Sequence, residues 1–357
     1  MNIQKKITVA LVDDSSVIRG ALARIIETDP NIEIVASVAH GEMAVSIARS
    51  KKPDVMILDI EMPIMDGLTA LPQILKNSPK TKVIMFSALT AKGAEITIKA
   101  MALGAVECIV KPGSTQDTGP GSDFHRYITG LIKTLGGVHA HAQRAAPKIS
   151  TRPIPRTPPA QKGLSRPFAQ PEIIAIGSST GGPQALFNVF KNMGAVKLPV
   201  VITQHMPATF TKILAEHITQ HSDMYAQEGE DGMPVEGGKV YVAPGGKHMA
   251  FTKQSGKLTI KISDAPPENF CKPSVDVMMR SLTELYQNRI LCVILTGMGQ
   301  DGLIGARGLH EKGGRIIAQD KETSVVWGMP GAVAADGICD KILPINDIGK
   351  VVKTIVG

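Results

Sequence analysis

The chain has 357 residues, which is enough for about two domains that each bury a core of their own. Hydrophobic residues make up 43% of the chain and charged residues 20%, so the composition indicates a globular protein and argues against a largely disordered one. The net charge of +7 would suit a nucleic-acid partner, but residues 139–170 alone carry six basic residues and no acidic one, so the rest of the chain is nearly neutral.

The first third of the chain alternates short β-branched apolar runs with amphipathic helical patterns. We predict strands at 7–12, 32–38, 55–58, 82–86 and 107–110, and helices at 17–27, 41–49, 68–77 and 93–103. This alternation is typical of an α/β fold with a parallel sheet. We therefore expect a five-stranded (βα)5 domain over residues 1–125.

Polar side chains stand at the carboxyl ends of these predicted strands, where ligands of such folds bind. Asp13 and Asp14 follow the first strand, Asp59 the third, Ser87 the fourth and Lys111 the fifth. Three carboxylates at one edge repel one another unless a hard cation such as Mg²⁺ lies among them. A lysine and a hydroxyl group nearby can then hold an incoming phosphoryl group. The alternative is that these residues are only solvated ends of strands. Five polar residues at the five positions that a phosphoryl-binding site requires make this alternative the weaker interpretation.

Four motifs in this half resemble the receiver domain of two-component response regulators: VDDS at 12–15, LDIEMPIMDG at 58–67, FSA at 86–88 and VKP at 110–112. The resemblance implies that Asp59 is phosphorylated by a histidine kinase. It implies further roles for the neighbouring residues: Asp13 and Asp14 as the acidic pair for Mg²⁺, the Glu61 backbone carbonyl as a further Mg²⁺ ligand, Ser87 as the switch hydroxyl and Lys111 as the phosphate-pairing lysine.

One position departs from the receiver pattern. Cys108 stands where this family usually has an aromatic residue that moves with the switch hydroxyl on activation. The departure puts the usual rotamer switch in question, but not phosphorylation itself.

The basic stretch at 139–170 also contains six prolines and almost no large apolar residue. This is the composition of an extended linker, so we expect residues 126–170 to hold a helix end and a linker between two domains. A nucleic-acid-binding segment is the alternative. We do not expect a nucleic-acid partner, because no aromatic residues interleave with the basic ones and no compact helix-turn-helix pattern follows.

After the linker the alternation of strands and helices returns, over residues 171–357. We predict strands at 172–176, 199–203, 239–242, 290–295 and 315–318, and a helix at 184–191. Residues 257–262, which glycine turns separate from the strand ending at 242, predict an antiparallel hairpin added to the sheet. We expect a second, doubly wound and mainly parallel α/β domain.

Three residues of this half make a candidate hydrolytic triad. Residues 177–181 fit GxSxG, which places Ser179 on a tight turn between a strand and a helix, beside free backbone N–H groups. His205 and Asp301 also follow predicted strands, and a serine nucleophile needs such a base and such an acid. His217 and His221 are weaker candidates on a polar helix. A glycine-rich loop that only turns or binds phosphate remains the alternative, although no GK[ST] sequence supports an NTP site.

Several motifs of this half together resemble the catalytic domain of the chemotaxis protein-glutamate methylesterases, the CheB family: GSSTGG, TQHMP, APGGKHM, KPSVDVM, GMGQDG and GMPGAVAADG. The resemblance implies Ser179 as nucleophile, His205 as general base and then acid, and Asp301 as its orienting acid. It implies an oxyanion hole from backbone N–H groups near Thr180 and Met298. Two positions depart from the family: Ser178 replaces a common alanine, and Cys271 stands where histidine is frequent.

The two resemblances together imply a phosphorylation-activated methylesterase that acts on methyl-accepting chemotaxis receptors and also deamidates receptor glutamines. Mg²⁺ is implied for the receiver and no cofactor for ester hydrolysis. The alternative is a receiver-controlled module that only binds a partner. The pattern leaves open which receptors and kinase are served, and what the oligomeric state is.

Two further features bound the class of protein. The longest apolar runs fall far short of the roughly 20 residues of a membrane-spanning helix, and residues 1–6 lack the apolar stretch of a signal peptide, so we expect a cytoplasmic protein without membrane insertion. The four cysteines lie far apart with no CxxC pair. Their spacing indicates neither a disulfide framework nor a zinc site, and we expect buried thiols.

Overall fold

The computed structural model describes residues 6–87, 91–112, 119, 121–137 and 169–357. Ala88 and residues 138–168, which make up most of the predicted linker, lie outside the described residues. Among the described helices, none combines the length and the apolarity that crossing a bilayer requires.

The N-terminal half forms the predicted five-stranded parallel sheet, with strand order β2-β1-β3-β4-β5. Its strands are β1 (Ile7–Val12), β2 (Ile32–Val38), β3 (Val55–Asp59), β4 (Lys82–Ser87) and β5 (Glu107–Val110). Its helices are α1 (Ser16–Ile26), α2 (Gly41–Ser50), α3 (Gly67–Asn77), α4 (Ala91–Ala102) and α5 (Asp123–Leu135). The central strands are buried on both faces, which explains their nearly continuous apolar sequences.

Side-chain caps fix where several of these helices begin. The Asp66 carboxylate accepts from the Thr69 N–H at 2.7 Å, and the Ser122 hydroxyl accepts from the His125 N–H at 3.1 Å. The second cap starts α5, whose Ile128, Leu131 and Ile132 are buried in the core under the sheet. The core of this domain thus extends beyond residue 125, the predicted end of the domain.

The C-terminal half contains a seven-stranded parallel sheet with order β14-β13-β12-β6-β7-β9-β8. Its strands are β6 (Ile173–Ser178), β7 (Val200–Gln204), β8 (Tyr225–Glu228), β9 (Lys239–Val242), β12 (Ile290–Ile294), β13 (Arg315–Gln319) and β14 (Lys341–Leu343). Its helices are α6 (Gly182–Met193), α7 (Ala208–His221), α8 (Val275–Tyr286), α9 (Leu303–Glu311), α10 (Met329–Ala335) and α11 (Ile345–Val356). Apolar clusters cover both faces, so the predicted doubly wound α/β class is confirmed.

The antiparallel hairpin is present, but its pairing differs from the expected one. β10 (His248–Gln254) and β11 (Lys257–Ser263) pair with each other in a separate two-stranded sheet, and not with β9. Ser255 and Gly256 connect them with φ values of 50° and 78°, the two left-handed residues that a tight hairpin turn of this hand requires. The sequence reasoning overlooked β10, the strand that this turn joins to β11.

The two halves share an apolar contact. Ala94, Ile98 and Met101 of α4 belong to the same buried cluster as residues of α6 and α7, including Leu186 and Phe210. On the other side of this contact, Val325 and Val326 pack against the core of the N-terminal domain. The face of the N-terminal domain that carries α4, β5 and α5 therefore lies against the C-terminal domain.

Candidate active site

The Asp301 carboxylate is buried and receives several hydrogen bonds. Asp301 lies between β12 and α9, with 1% of its surface exposed. Its oxygens accept from the Val275 N–H (2.6 Å), the Ser274 hydroxyl (2.8 Å), the Asn269 amide (3.1 Å) and the Asp276 N–H (3.2 Å). Most of these donors stand at the first turn of α8, where the helix dipole favours a negative charge.

His205 follows β7 and is hydrogen-bonded to this carboxylate. The backbone N–H of His205 donates to the Ser178 carbonyl at 3.0 Å, and the ring Nε2 lies 2.8 Å from Asp301 Oδ2. Burial alone would lower the pKa of His205, but the interactions with Asp301 and Cys271 together outweigh it, so the pKa is raised to about 9. The same interaction with His205 holds the pKa of Asp301 below its ordinary value, although burial alone would raise it.

Ser179 occupies the turn between β6 and α6, next to the His205 loop. Its N–H donates to the Thr296 carbonyl at 3.0 Å, and its own carbonyl accepts from the Gln204 side chain at 3.0 Å. Gly297 passes so close that a Cβ there would lie 2.8 Å from the Ser179 Cβ. Only glycine permits this approach, which brings the loop after β12 beside the serine.

The two adjacent serines differ in their surroundings. Ser178 is fully buried and donates a 2.6 Å hydrogen bond to the Gln204 side chain. Ser179, directly after the carboxyl end of β6, is only half-buried. The hydroxyl available to a substrate is therefore that of Ser179.

The backbone N–H groups of Thr180 and Met298 flank this serine. Thr180 is the next residue on the turn, and Met298 follows Gly297. Within the part of the chain that the structure describes, neither N–H donates a hydrogen bond to another residue. Free N–H groups on both sides of a serine are the arrangement that stabilises an oxyanion.

The structure adds residues around the triad that sequence reasoning did not single out. Asn269 donates to both Asp301 and Asp276, and Asp276 accepts from the Gly305 N–H at 2.7 Å. Cys271, on the same loop as Asn269, donates to the Asn269 carbonyl at 3.4 Å, and its sulfur lies within 4.8 Å of a ring nitrogen of His205. The KPSVD motif was the available signal for Ser274 and Asp276, but only the path of the loop shows that they meet Asp301.

A second polar site lies at the carboxyl ends of the N-terminal strands. Lys111 Nζ lies 2.8 Å from Asp59 Oδ1 and 2.9 Å from Asp13 Oδ2. Burial raises the pKa of Asp59 to about 6; the negative charge of Asp13 adds to the rise and Lys111 opposes it. Ser87 is buried at the end of β4, and its carbonyl accepts from the Lys111 N–H at 2.7 Å.

This site fits a magnesium ion. Carboxylate oxygens of Asp13, Asp14 and Asp59 lie within 4.8 Å of one another. Asp59 Oδ2 is buried without a hydrogen-bond partner among the described residues, so it can accept a cation. Glu61 lies in the loop two residues beyond Asp59. Oxygen ligands of this kind are those that Mg²⁺ prefers.

Residues of the N-terminal domain cover the turn that carries Ser179. The Gly181 N–H donates to the Val106 carbonyl at 3.0 Å, and the Gln184 side chain donates to the Ala105 carbonyl. Burial raises the pKa of Glu107, the first residue of β5. Glu107 lies close enough to the side chain of Thr180 and to His205 for both to oppose this rise in the pKa of its carboxyl group. A carboxyl group of the N-terminal domain thus lies beside the serine loop.

The remaining candidates are placed as follows. Cys108 is half-buried, packs against apolar clusters of both domains, and its thiol lies 3.4 Å from the Thr97 hydroxyl. His217 and His221 stack on each other along α7, away from the triad loops. Of the four cysteines only Cys292 is fully buried, so the expectation of buried thiols holds for that residue alone.

Known proteins resemble the chain over both halves. Residues 174–352 match the family described as CheB methylesterase, and residues 9–118 match the response regulator receiver domain. The chain is 48% identical over 360 residues to the "protein-glutamate methylesterase/protein-glutamine glutaminase 1" of Rhodospirillum rubrum, covering 96% of this chain and 93% of that protein. It is 50% identical over 359 residues to the protein of the same name from Paramagnetospirillum magneticum, covering 96% and 94%.

A solved structure agrees with the C-terminal half. The crystal structure of the Thermotoga maritima CheB methylesterase catalytic domain is 40% identical and aligns with a TM-score of 0.51, over 53% of this chain and 100% of that one. Both resemblances stated from the motifs are thereby confirmed. The chain belongs to the CheB family, in which a response regulator receiver domain precedes a methylesterase domain.

Proposed function

We propose that this protein is a phosphorylation-activated serine hydrolase that removes methyl esters from glutamate side chains of methyl-accepting chemotaxis receptors and deamidates receptor glutamines. The observation that carries the proposal is the His205–Asp301 pair beside Ser179, at the carboxyl ends of neighbouring strands. The names of the relatives, which share both domains, supply the substrate class. We place the reaction in the cytoplasm.

In this mechanism the Ser179 hydroxyl attacks the carbonyl carbon of the glutamate methyl ester while His205 accepts its proton. The N–H groups of Thr180 and Met298 stabilise the oxyanion. His205 then donates the proton to the departing methoxy group, so methanol leaves and a glutamyl ester remains on Ser179. Water, deprotonated by His205, hydrolyses this ester and restores the enzyme.

Deamidation follows the same route with a different leaving group. A glutamine side chain gives the same glutamyl ester, and the proton from His205 goes to the departing ammonia. Asp301 keeps its negative charge throughout, because its hydrogen bonds stabilise the carboxylate while His205 carries the proton. In the present structure no hydrogen bond joins the hydroxyl of Ser179 to His205, a contact that in unliganded sites often forms only with substrate.

The receiver controls this site by covering it. We propose that the unphosphorylated receiver blocks the broad helical surface of a receptor, because Val106, Glu107 and α4 occupy the approach to the serine loop. A histidine kinase phosphorylates Asp59. Asp13, Asp14, Asp59 and the Glu61 carbonyl would hold Mg²⁺, which would neutralise negative charge on the phosphoryl group. Lys111 then pairs with the phosphoryl group on Asp59 instead of with the free carboxylate. Because Lys111 directly follows β5, and β5 also contacts the esterase domain, this new pairing changes the contact between the domains.

The test measures methanol release from methylated chemoreceptor, with and without a small phosphodonor and Mg²⁺. We expect release to rise with phosphodonor, to vanish in Ser179→Ala, and to lose its stimulation in Asp59→Ala. Ser178→Ala is the matched control and should retain both release and stimulation, since the Ser178 hydroxyl is fully buried against Gln204 and takes no part in the proposed reaction. If wild type released no methanol although Asp59 was phosphorylated, the protein would be a receiver-controlled binding module instead.

A further inference from the structure

A nitrogen, a sulfur and an oxygen ligand meet inside the candidate active site. His205, Cys271 and Asp301 each offer one ligand atom, and these atoms lie within 4.8 Å of one another. The residues come from three different loops, after β7, before α8 and after β12. The spacing of cysteines along the sequence did not indicate this cluster, because it contains a single cysteine. Its three members are 30 or more residues apart in the sequence.

The donor set selects a particular class of cation. Imidazole and thiolate ligands favour Zn²⁺ and related metals, whereas Mg²⁺ prefers oxygen ligands alone. Zinc bonds of about 2.0 to 2.3 Å in a tetrahedral arrangement place ligand atoms roughly 3.3 to 3.8 Å apart, which small side-chain movements can reach from the present positions. Three protein ligands leave a fourth coordination position for water or the Ser179 hydroxyl.

The surroundings of the cluster hold its ligands in place. Asp301 receives the hydrogen bonds from Ser274, Val275 and Asn269 described above, which fix the orientation of its carboxylate. Such outer hydrogen bonds strengthen metal binding. Cys271 is only half-buried, and its neighbour Phe270 projects fully into solvent. A cation can therefore approach the thiol from solution.

We propose that His205, Cys271 and Asp301 form an inhibitory site for a thiophilic divalent cation, with Zn²⁺ as the representative ion. Binding releases the thiol proton of Cys271 and the proton between His205 and Asp301 to solvent, and the metal takes the electron pairs that those protons held. His205 then cannot accept the proton of Ser179. The inhibitory part of this inference rests on the proposed esterase function, whereas the binding part does not.

Binding is tested on the full-length protein with Co²⁺ as a spectroscopic substitute for Zn²⁺. A cobalt-thiolate bond gives an intense near-ultraviolet charge-transfer band, so we expect this band in wild type and its loss when Zn²⁺ is added. The band should be absent in Cys271→Ser and in Cys271→His. Cys339→Ser is the matched control, because Cys339 is another half-buried thiol outside the cluster, and it should keep the band.

Inhibition is tested with the same four proteins, each compared with its own metal-free rate of methanol release. We expect the Zn²⁺ concentration for half inhibition to rise at least about tenfold in Cys271→Ser and to stay unchanged in Cys339→Ser. The histidine of Cys271→His is itself a zinc ligand, so this variant should remain sensitive to Zn²⁺ without the cobalt band.

Two results would overturn the inference: no charge-transfer band in wild type, or equal Zn²⁺ sensitivity in wild type and Cys271→Ser. If none of the proteins released methanol without metal while the band still depended on Cys271, the metal site would stand and the proposed esterase function would fail. The two proposals are thus tested by separate readouts.

Discussion

Asp301 is held by more described hydrogen bonds than its partner His205, and this asymmetry determines how the pair can act. Donors from Asn269, Ser274 and the start of α8 surround the carboxylate, so it stays ionised while buried. His205 has this carboxylate as a partner and is itself only half-buried. The imidazole is therefore the group of the pair whose protonation can change during a reaction.

The raised pKa of His205 gives a pH dependence. Below a pKa of about 9 the imidazole is mostly charged and cannot accept the serine proton, so kcat/KM for methanol release should increase with pH up to that region. Asp301→Asn removes the negative charge, so the pKa falls and the acid limb should move to lower pH, while the maximal rate drops by about 10⁴-fold. A pH profile of both proteins checks this. An acid limb that Asp301→Asn leaves in place would show that another group limits the rate.

Glu107 gives a second prediction at the scale of the residue. Its carboxyl group lies beside Thr180 of the serine loop and interacts with it, so Glu107→Ala should weaken the covering of this loop and raise methanol release without phosphodonor several-fold. Glu107→Gln keeps a side chain of the same shape with hydrogen-bonding capacity, and it should stay close to wild type. Methanol release by the unphosphorylated proteins, measured side by side, tests both variants, and an equal rise in both would contradict a covering role for the Glu107 side chain.

At the scale of the element, β5 joins the two functional sites. Lys111, directly after its carboxyl end, pairs with Asp59, whereas Val106 and Glu107 at its amino end contact the serine loop. A strand of this length spans about 13 Å. Cys108 lies between the two ends of β5 and packs against apolar clusters of both domains. A movement of β5 would therefore change the packing of Cys108, although Cys108 is not the aromatic residue that usually stands at this position in receivers.

Helix α5 offers a test of the covering that leaves the phosphorylation site untouched. A Cβ at Gly130 would lie 3.5 Å from Met298 Cε, which is an ordinary van der Waals contact. The longer side chain of leucine would clash with Met298 at this distance. Gly130→Leu should therefore separate the domains, raise methanol release without phosphodonor and reduce the stimulation by phosphodonor. Leucine also favours the helix over glycine, so the receiver itself should not lose stability.

Gly130→Ala is the matched control for this helix. Its methyl group fits the available space, so the stimulation ratio should stay at the wild-type value while the helix gains up to about 1 kcal/mol of stability. Methanol assays and thermal unfolding monitored by circular dichroism check the two variants together. Unchanged rates in Gly130→Leu would mean that α5 does not help to cover the site.

The elements that the sequence predicts well are the parallel strands. Their apolar runs and the polar residues at their ends follow from burial and strand direction, so β1, β2 and β5 match their predicted bounds and Asp59 lies where expected. The positions of Asn269 and Cys271 could not be predicted, because they lie on an irregular loop before α8 whose path depends on tertiary contacts. β10 was overlooked for a related reason: the strand is defined by its pairing with β11 across a two-residue turn, and this pairing is seen only in the structure.

At the scale of the whole molecule, the two domains meet through both apolar packing and backbone hydrogen bonds. The bond from the Gly181 N–H to the Val106 carbonyl is the clearest reporter of this contact, because it joins the serine loop to the receiver. The cluster of α4 with α6 and α7 provides the apolar part. Opening the contact must break that hydrogen bond and expose these side chains to solvent.

Hydrogen exchange can follow this opening directly. Phosphodonor with Mg²⁺ should accelerate amide exchange in a peptide that contains residues 179–184 by about tenfold, because the Gly181 N–H loses its acceptor. Asp59→Ala, or wild type with Mg²⁺ removed by a chelator, should show no acceleration. Mass spectrometry of the exchanged peptides gives the readout. Faster exchange in Asp59→Ala on adding phosphodonor would mean that the opening does not depend on this aspartate.

The position of β5 has a consequence for engineering. The residues that receive the phosphoryl group are different from those that contact the esterase domain, so the two sets can be exchanged separately. A receiver from a different signalling system, given the contact residues of α4, β5 and α5, would bring its own kinase to the same hydrolase. The signal that controls the hydrolase could then be changed without altering any residue of the esterase domain.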